Sequence, residues 1–322
     1  MQKNFAVTSS PHLRDGVSTR RIMQEVCLAL APAGIAGIIL YGAHAAVLIS
    51  AAVITAVFAE WAWQKMTKQP STVGDWSAVV TGLLLAYNLP ADVPVWIAVV
   101  GSLIAIILVK QFFGGIGSNF MNPALTARAI LFVSWGSMMG SYPATRFMVD
   151  ATSSATAVNA LSSATPLAML AKEGISSVNL LDLLIGNCGG VLGETCKIGL
   201  LIGGVYLIVR RIIDWKIPAA FIGTVFVCYL LKDGFGMAVY QVLAGGLLLG
   251  AFFMATDYVT SPVSSAGRVI MGIGCGLILF VIRAYASYPE GCSFAILFMN
   301  VCTPLIDKFT MPKVFGEVKA HG

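Results

Sequence analysis

"FMNPALTARAI", Phe120 to Ile130, puts a small polar residue and a proline ahead of small residues, then an arginine, then an apolar run. "VTSPVSSAGRVI", Val259 to Ile270, repeats that order in the second half of the chain. Asn or Ser before Pro is ordinary helix-start chemistry, because the side chain caps free amides and proline has none to leave unpaired. One such motif announces only a helix. Two of them, behind the interrupted stretches "FFGGIGSN" and "FFMATDY", predict broken helices inside a greasy protein.

The composition agrees. The 322 residues are 57% hydrophobic and 11% charged, with mean hydropathy +0.84. A soluble domain carries about 25% charged residues, so a water-soluble core of this composition would leave too much apolar surface exposed. The fold class expected is an all-α, polytopic membrane protein. The net charge of +5 is scattered over segment ends, which argues against a nucleic-acid partner. The polar first twenty residues do not resemble a signal peptide.

Apolar runs between charged or turn-rich breaks give about ten segments: 23–41, 45–63, 76–88, 94–112, 122–139, 193–209, 217–231, 238–256, 268–285 and 292–306. The third is too short to cross as an ordinary helix and leads into the proline-containing "YNLPADVP". With the N-terminus in the cytoplasm, 15 of the 20 Lys and Arg residues fall inside; only Arg146, Lys172, Lys197, Lys232 and Arg283 fall outside. That asymmetry follows the positive-inside rule and places both termini in the cytoplasm. The organisation expected is a cytoplasmic segment (1–21), a first membrane repeat (22–139), an extracytoplasmic region (140–190), a second membrane repeat (191–308) and a cytoplasmic tail (309–322).

Five segments lie on either side of the long loop. An odd number per half reverses direction, as in an inverted-topology repeat whose broken helices meet near the midplane. Unwound backbone is tolerated there only where it lines a cavity or is buried in protein. Intramembrane acids are costly and usually face a partner or an aqueous path. Glu60, Asp75, Glu194 and Asp257 are therefore the candidates for an ion path, each near a segment end where interfacial water is within reach. Arg128 and Arg268 are their candidate partners, or groups that face a ligand phosphate. Seven cysteines and three histidines are dispersed without CxxC, so no metal, haem or cluster ligand set is read from this chain.

One polar passage stands apart: "DATSSATAVNALSSATPLA", Asp150 to Ala168, contains SSAT twice. By composition alone it is an unremarkable Ser/Thr-rich loop.

Four stretches then change the reading: "FFGGIGSNFMNPALTARA", "DWSAVVTGLLLAYNLP", "LGETCKIGLLIGGVYLIVRRIIDWKIP" and "SFAILFMNVCTPLID". They resemble, in family order from about Pro11 to Lys308, the membrane flavoproteins that comprise the D subunit of Rnf complexes and the B subunit of the sodium-pumping NADH:quinone reductase. The short N-terminus and compact loop favour the Rnf type. The resemblance implies ten helices in two inverted five-helix repeats, urea-channel-like. It implies FMN joined by a phosphoester to a threonine, a second non-covalent flavin (riboflavin or FMN), and a flavin transferase that makes the bond. Asn122, Arg128 and Arg268 become candidate flavin-binding residues.

The transferase pattern, close to Asp-x-x-Ser/Thr-Gly/Ser-Ala-Thr, fits twice. "DATSSAT" supplies Asp150, Ser153 and Thr156 at every position. "NALSSAT" has Asn159 in place of the acid, with Ser162 and Thr165, yet only Thr165 continues into the family's "PLAMLAKEG". The head of the motif selects Thr156 and the tail selects Thr165.

The function implied is an electron-transfer subunit of an ion-translocating ferredoxin:NAD+ oxidoreductase in a bacterial cytoplasmic membrane. It would work with A-, B-, C-, E- and G-type subunits, move Na+ or H+, and have no catalytic residue or activity alone. The quinone-reductase subunit and a solute channel of related fold are the rivals; a channel has no use for a flavinylation motif.

Overall fold

A computed structural model describes residues 18–147, 165–175, 178–286 and 291–311. Asp150, Ser153, Thr156 and Ser162 lie outside them. Ser18 opens α1 (Thr19–Tyr41) by accepting from the Arg21 amide, and Gly42, at φ +87°, turns the chain directly into α2 (Ala43–Met66). A single 3-10 turn (Val73–Asp75) leads to α3 (Ser77–Tyr87). The helix α4 (Val95–Leu103) continues as a wide π turn over Ile104–Gln111, and α5 (Pro123–Ser134) is followed by the one-turn α6 (Gly136–Met139). Two short helices, α7 (Pro166–Glu173) and α8 (Leu180–Ile185), precede α9 (Lys197–Val209). The second half continues with α10 (Lys216–Leu243), α11 (Leu247–Leu249) widening into a π turn at Gly250–Met254, α12 (Ser265–Tyr285) and α13 (Cys292–Thr310).

The described residues are helical with no strand, and one isolated antiparallel bridge joins Pro90 to Val191. Five helices, α1, α2, α10, α12 and α13, are long and apolar enough to cross a membrane. Four shorter apolar helices cover Ser77–Tyr87, Val95–Gln111, Pro123–Ser134 and Lys197–Val209. The segments read at 122–139 and 193–209 thus contract. Eleven residues of α3 rise only about 16 Å, roughly half a hydrocarbon core.

The two proline motifs do not play the same part. Asn122 does cap α5, its Oδ1 accepting from the Ala124 and Leu125 amides with Pro123 in the first turn. In the second motif Ser264, not Ser261, is the cap, accepting from the Gly267 amide at 2.9 Å, so Pro262 lies ahead of the helix. The break expected between 231 and 238 falls at Gly234, whose φ of +87° and ψ of 175° interrupt α10. A further break at 244–246 divides the segment read as 238–256.

Both interruptions keep their backbone paired. Past α3, the carbonyls of Tyr87 and Leu89 accept from the amides of Gly193 (3.0 Å) and Leu192 (3.1 Å), and these stretches are buried against each other. At the second break, Arg283 donates to the Gln241 carbonyl (2.6 Å) and to that of Ala244 (3.0 Å), while Lys197 donates to that of Gly245 (2.9 Å). Cations at the end of a helix satisfy its last carbonyls and its dipole together.

Close helix approach depends on missing side chains. A Cβ at Gly203 of α9 would sit 2.0 Å from the Ala29 carbonyl oxygen of α1. Gly203→Val should therefore destabilise the protein by about 1–3 kcal/mol, as overpacking does. A lowered detergent-solution Tm checks this, with Gly223→Ala in α10, where nothing lies within 4 Å, not lowering it.

Candidate cofactor-binding site

A cavity of ≈ 390 Å³ opens where the two halves of the chain meet. One wall is α1 (Thr19, Met23, Val26) and α3 (Ser77, Thr81, Leu84); another is the approach to α5, with Asn119, Asn122 and Pro123. The second half contributes Leu207, Phe252, Phe253, Thr256, Asp257 and Tyr258. Its volume lies in the range of sites that enclose small organic ligands, about 300–1,000 Å³, and its walls are apolar with a few polar groups, as such sites are.

Asn122 fastens the halves here. While its Oδ1 caps α5, its Nδ2 donates to the Met254 carbonyl at 3.4 Å, at the end of the π turn. Asn119 is different: it is 8% exposed and its Oδ1 is buried with no hydrogen-bond partner. An orphaned buried acceptor is costly, and the residue that carries it borders the cavity.

Two charged side chains line the cavity among the described residues, Lys110 and Asp257. Asp257 accepts from the Val259 amide (3.5 Å) and the Thr260 hydroxyl (3.2 Å), closing the turn after the π segment. Lys110 lies at the end of the first-half π turn and is 2% exposed. Its Nζ donates to Glu60 Oε2 (2.8 Å), Glu60 Oε1 (3.0 Å) and Ser77 Oγ (2.6 Å). Glu60 also accepts from Gln64 (3.3 Å), Thr72 (3.0 Å) and Gln111 (3.1 Å), so this fully buried carboxylate is saturated. Ser77 Oγ in turn donates to Asp75 Oδ1 at 2.6 Å.

The four acids read from the sequence thus divide. Glu60 and Asp75 are joined through Lys110 and Ser77, and Asp257 faces the same cavity. Glu60 does not reach interfacial water. Glu194 is elsewhere, buried beside Thr165, Lys197 and Gly245 around a recess of only ≈ 10 Å³. A Cβ at Gly246 would fall 2.1 Å from Glu194 Oε1, so a larger residue there would have to displace that carboxylate.

The arginines chose other partners. Arg268 binds Asp214 at 2.9 Å and the Pro262 carbonyl at 3.2 Å. Desolvation alone would raise the Asp214 pKa, but the Arg268 hydrogen bond, the Lys216 amide and both cations hold its carboxyl below the usual range. Arg128 is buried in α5 and donates to Ser293 of α13. Thr165 is also buried: it caps α7, its hydroxyl accepting from the Ala168 amide at 3.3 Å.

Lys110, Ser77 and Asn119 were not singled out in the sequence. Lys110 and Glu60 are 50 residues apart, and only a pairing of lone opposite charges in neighbouring apolar segments would have suggested them.

Described residues that form helices and no strand, with five helices of lipid length, interrupted helices and a cavity between the two halves, have the build of a membrane protein. Comparison makes this specific. Residues 6–316 match the family described as NQR2, RnfD, RnfE, and the chain belongs to that family. It is 49% identical, over 98% of its length and 96% of the relative's, to the D subunit of the Na(+)-translocating ferredoxin:NAD(+) oxidoreductase complex of Acetobacterium woodii. Identity is 41%, over 98% of both chains, to the D subunit of the proton-translocating ferredoxin:NAD(+) oxidoreductase complex of Clostridium ljungdahlii. It is 36%, over 97% of this chain and 96% of the relative, to the D subunit of an ion-translocating oxidoreductase complex of Halorhodospira halophila.

Removing one partner of a buried pair strands the other charge, at a cost of about 3–5 kcal/mol. Lys110→Met should lower Tm sharply, and adding Glu60→Gln should recover most of the loss. Equal melting of the single and double variants would show that the pair does not interact as described.

Proposed function

We propose that this chain is the D-type membrane subunit of an ion-translocating ferredoxin:NAD+ oxidoreductase, an electron carrier that holds flavin at two places. Membership of the family, with D-type relatives matched end to end, supports the assembly; the cavity with its orphaned Asn119 acceptor is the observation that carries flavin binding. In this reading the protein sits in a bacterial cytoplasmic membrane with both termini cytoplasmic. Its five helices of lipid length and four shorter apolar ones, with the segment that follows the 244–246 break as the tenth, would be ten spans in two inverted repeats, some of them broken. A, B, C, E and G-type subunits complete the complex, and a flavin transferase matures it. The relatives' names include both a Na+ and a proton translocator, so the transported ion is Na+ or H+.

The residues present fit a non-covalent flavin (riboflavin or FMN). Phe252 and Phe253 offer apolar surface for a planar ring system, Asn119 Oδ1 offers an acceptor for a ring N–H or ribityl hydroxyl, and Ser77, Thr81 and Thr256 offer hydroxyls. Flavin supplies one- and two-electron chemistry when bound; the protein holds it, keeps water out and sets its electrostatic surroundings. Asp257 on the cavity wall, and Glu60 and Asp75 linked behind it through Lys110 and Ser77, are the carboxylates through which a change of flavin charge would bias ion binding, a linkage that is reciprocal at equilibrium.

Covalent FMN belongs on Thr156 or Thr165. Thr156 keeps the acid of the transferase pattern. Thr165 has a structural argument: a phosphoester on its N-cap oxygen lies where the amides and dipole of α7 favour negative charge, and of the two charged groups in the recess beside it Lys197 favours that charge and Glu194 opposes it. The recess is far too small for a flavin ring, so the ring would extend away from it.

In-gel flavin fluorescence of the denatured chain, coexpressed with the transferase, tests the attachment. One of Thr156→Ala and Thr165→Ala should abolish the band while the other keeps it; a dark wild type would refute covalent FMN. Asn119→Leu should weaken retention of extractable flavin about five- to tenfold, about one hydrogen bond, and leave the covalent band intact.

A further inference from the structure

We propose that Lys110 is the positioning residue that sets the reduction potential of the flavin in the central cavity; this rests on the reading that a non-covalent flavin binds there. The argument begins with the asymmetry of the buried ion pair. Glu60 and Lys110 are in direct contact, yet only the lysine lines the cavity; the carboxylate lies behind it, enclosed by Gln64, Thr72 and Gln111. The pair is therefore a fixed dipole whose positive end is on the cavity side, the Lys110 Nζ bonded to the cavity-lining Ser77.

Its orientation is locked. All three Nζ protons are used, two on Glu60 and one on Ser77, and Ser77 is itself tied to Asp75. The ammonium has no spare proton with which to swing toward a ligand. It acts through its field, at short range and without solvent screening, since lysine and glutamate are 2% and 0% exposed. The other charged side chain at the cavity among the described residues, Asp257, has the opposite sign and belongs to the second half of the chain. A flavin between them gains negative charge when an electron arrives and is not matched by a proton. The lysine stabilises that charge, and an ionised Asp257 would oppose it.

The fold also explains why the lysine stands at that depth. Lys110 occupies the π turn Ile104–Gln111, where the wider helix turn displaces side chains from their α-helical register. A buried lysine survives there because Glu60 compensates it. A lysine kept only for stability would gain nothing from having its charged end on the cavity side, since an apolar replacement of both partners is often neutral or stabilising.

The test uses the purified intact complex, with potentiometric titration of its extractable flavin. The charge-balanced double variant Glu60→Gln/Lys110→Met avoids stranding a buried charge, and Lys110→Arg keeps the cation. Replacing the pair should make reduction harder by on the order of tenfold in the one-electron equilibrium constant, about 59 mV. Lys110→Arg should stay near the wild-type value, which a merely structural role would not require of a residue with different shape. The double variant titrating with the wild-type midpoint, or Lys110→Arg falling as far as the double variant, would overturn the proposal while leaving the flavin site standing. A wild-type complex that releases no flavin on denaturation would overturn the cavity reading itself, and this proposal with it.

Discussion

Backbone amides and carbonyls have no water to bind within a bilayer, so every interruption of a helix must find its partners in the protein. The rest of this architecture depends on how two interruptions meet that demand. After α3 the demand is met by another piece of chain: the amides of Leu192 and Gly193 reach back to the carbonyls of Leu89 and Tyr87. After α10 it is met by cations, Arg283 and Lys197, that reach the carbonyls of residues 241, 244 and 245. Neither solution is local. The first ties residue 193 to residue 87, and the second ties α9 and α12 to the end of α10, so breaking the helices fixes how the halves assemble.

Those assembled breaks leave a space between them. Short helices stop before crossing, and their ends, together with the approach to α5 and the turn after the second π segment, enclose the central cavity. Asn122 serves both sides of it: one amide side chain caps α5 with its oxygen and holds the far half through Met254 with its nitrogen. The charged groups follow the same logic. Glu60 is tolerated at zero exposure because Lys110, Gln64, Thr72 and Gln111 all donate to its carboxylate, whereas Glu194 is housed in a separate polar recess beside Thr165 and Lys197.

Two environments are thereby kept apart in space yet in one scaffold. The recess at the start of α7 holds a buried acid and a buried lysine, Glu194 and Lys197, whereas the cavity between the halves has largely apolar walls with a few polar groups.

The sequence by itself determined the membrane class, the positions of nearly all the apolar segments, the break near residue 234 and the cap at Asn122. These are local consequences of hydropathy, glycine and N-cap chemistry. It also presented the acids, but not their company. Which cation meets Glu60, why Arg268 turns to Asp214, that Ser264 rather than Ser261 caps α12, and that Asn119 is left without a donor were decided only by tertiary structure. Each depends on a contact between residues distant in the chain, or on a choice between neighbouring caps made by packing, and in a low-dielectric interior the partner that arrives determines what a buried polar group can do.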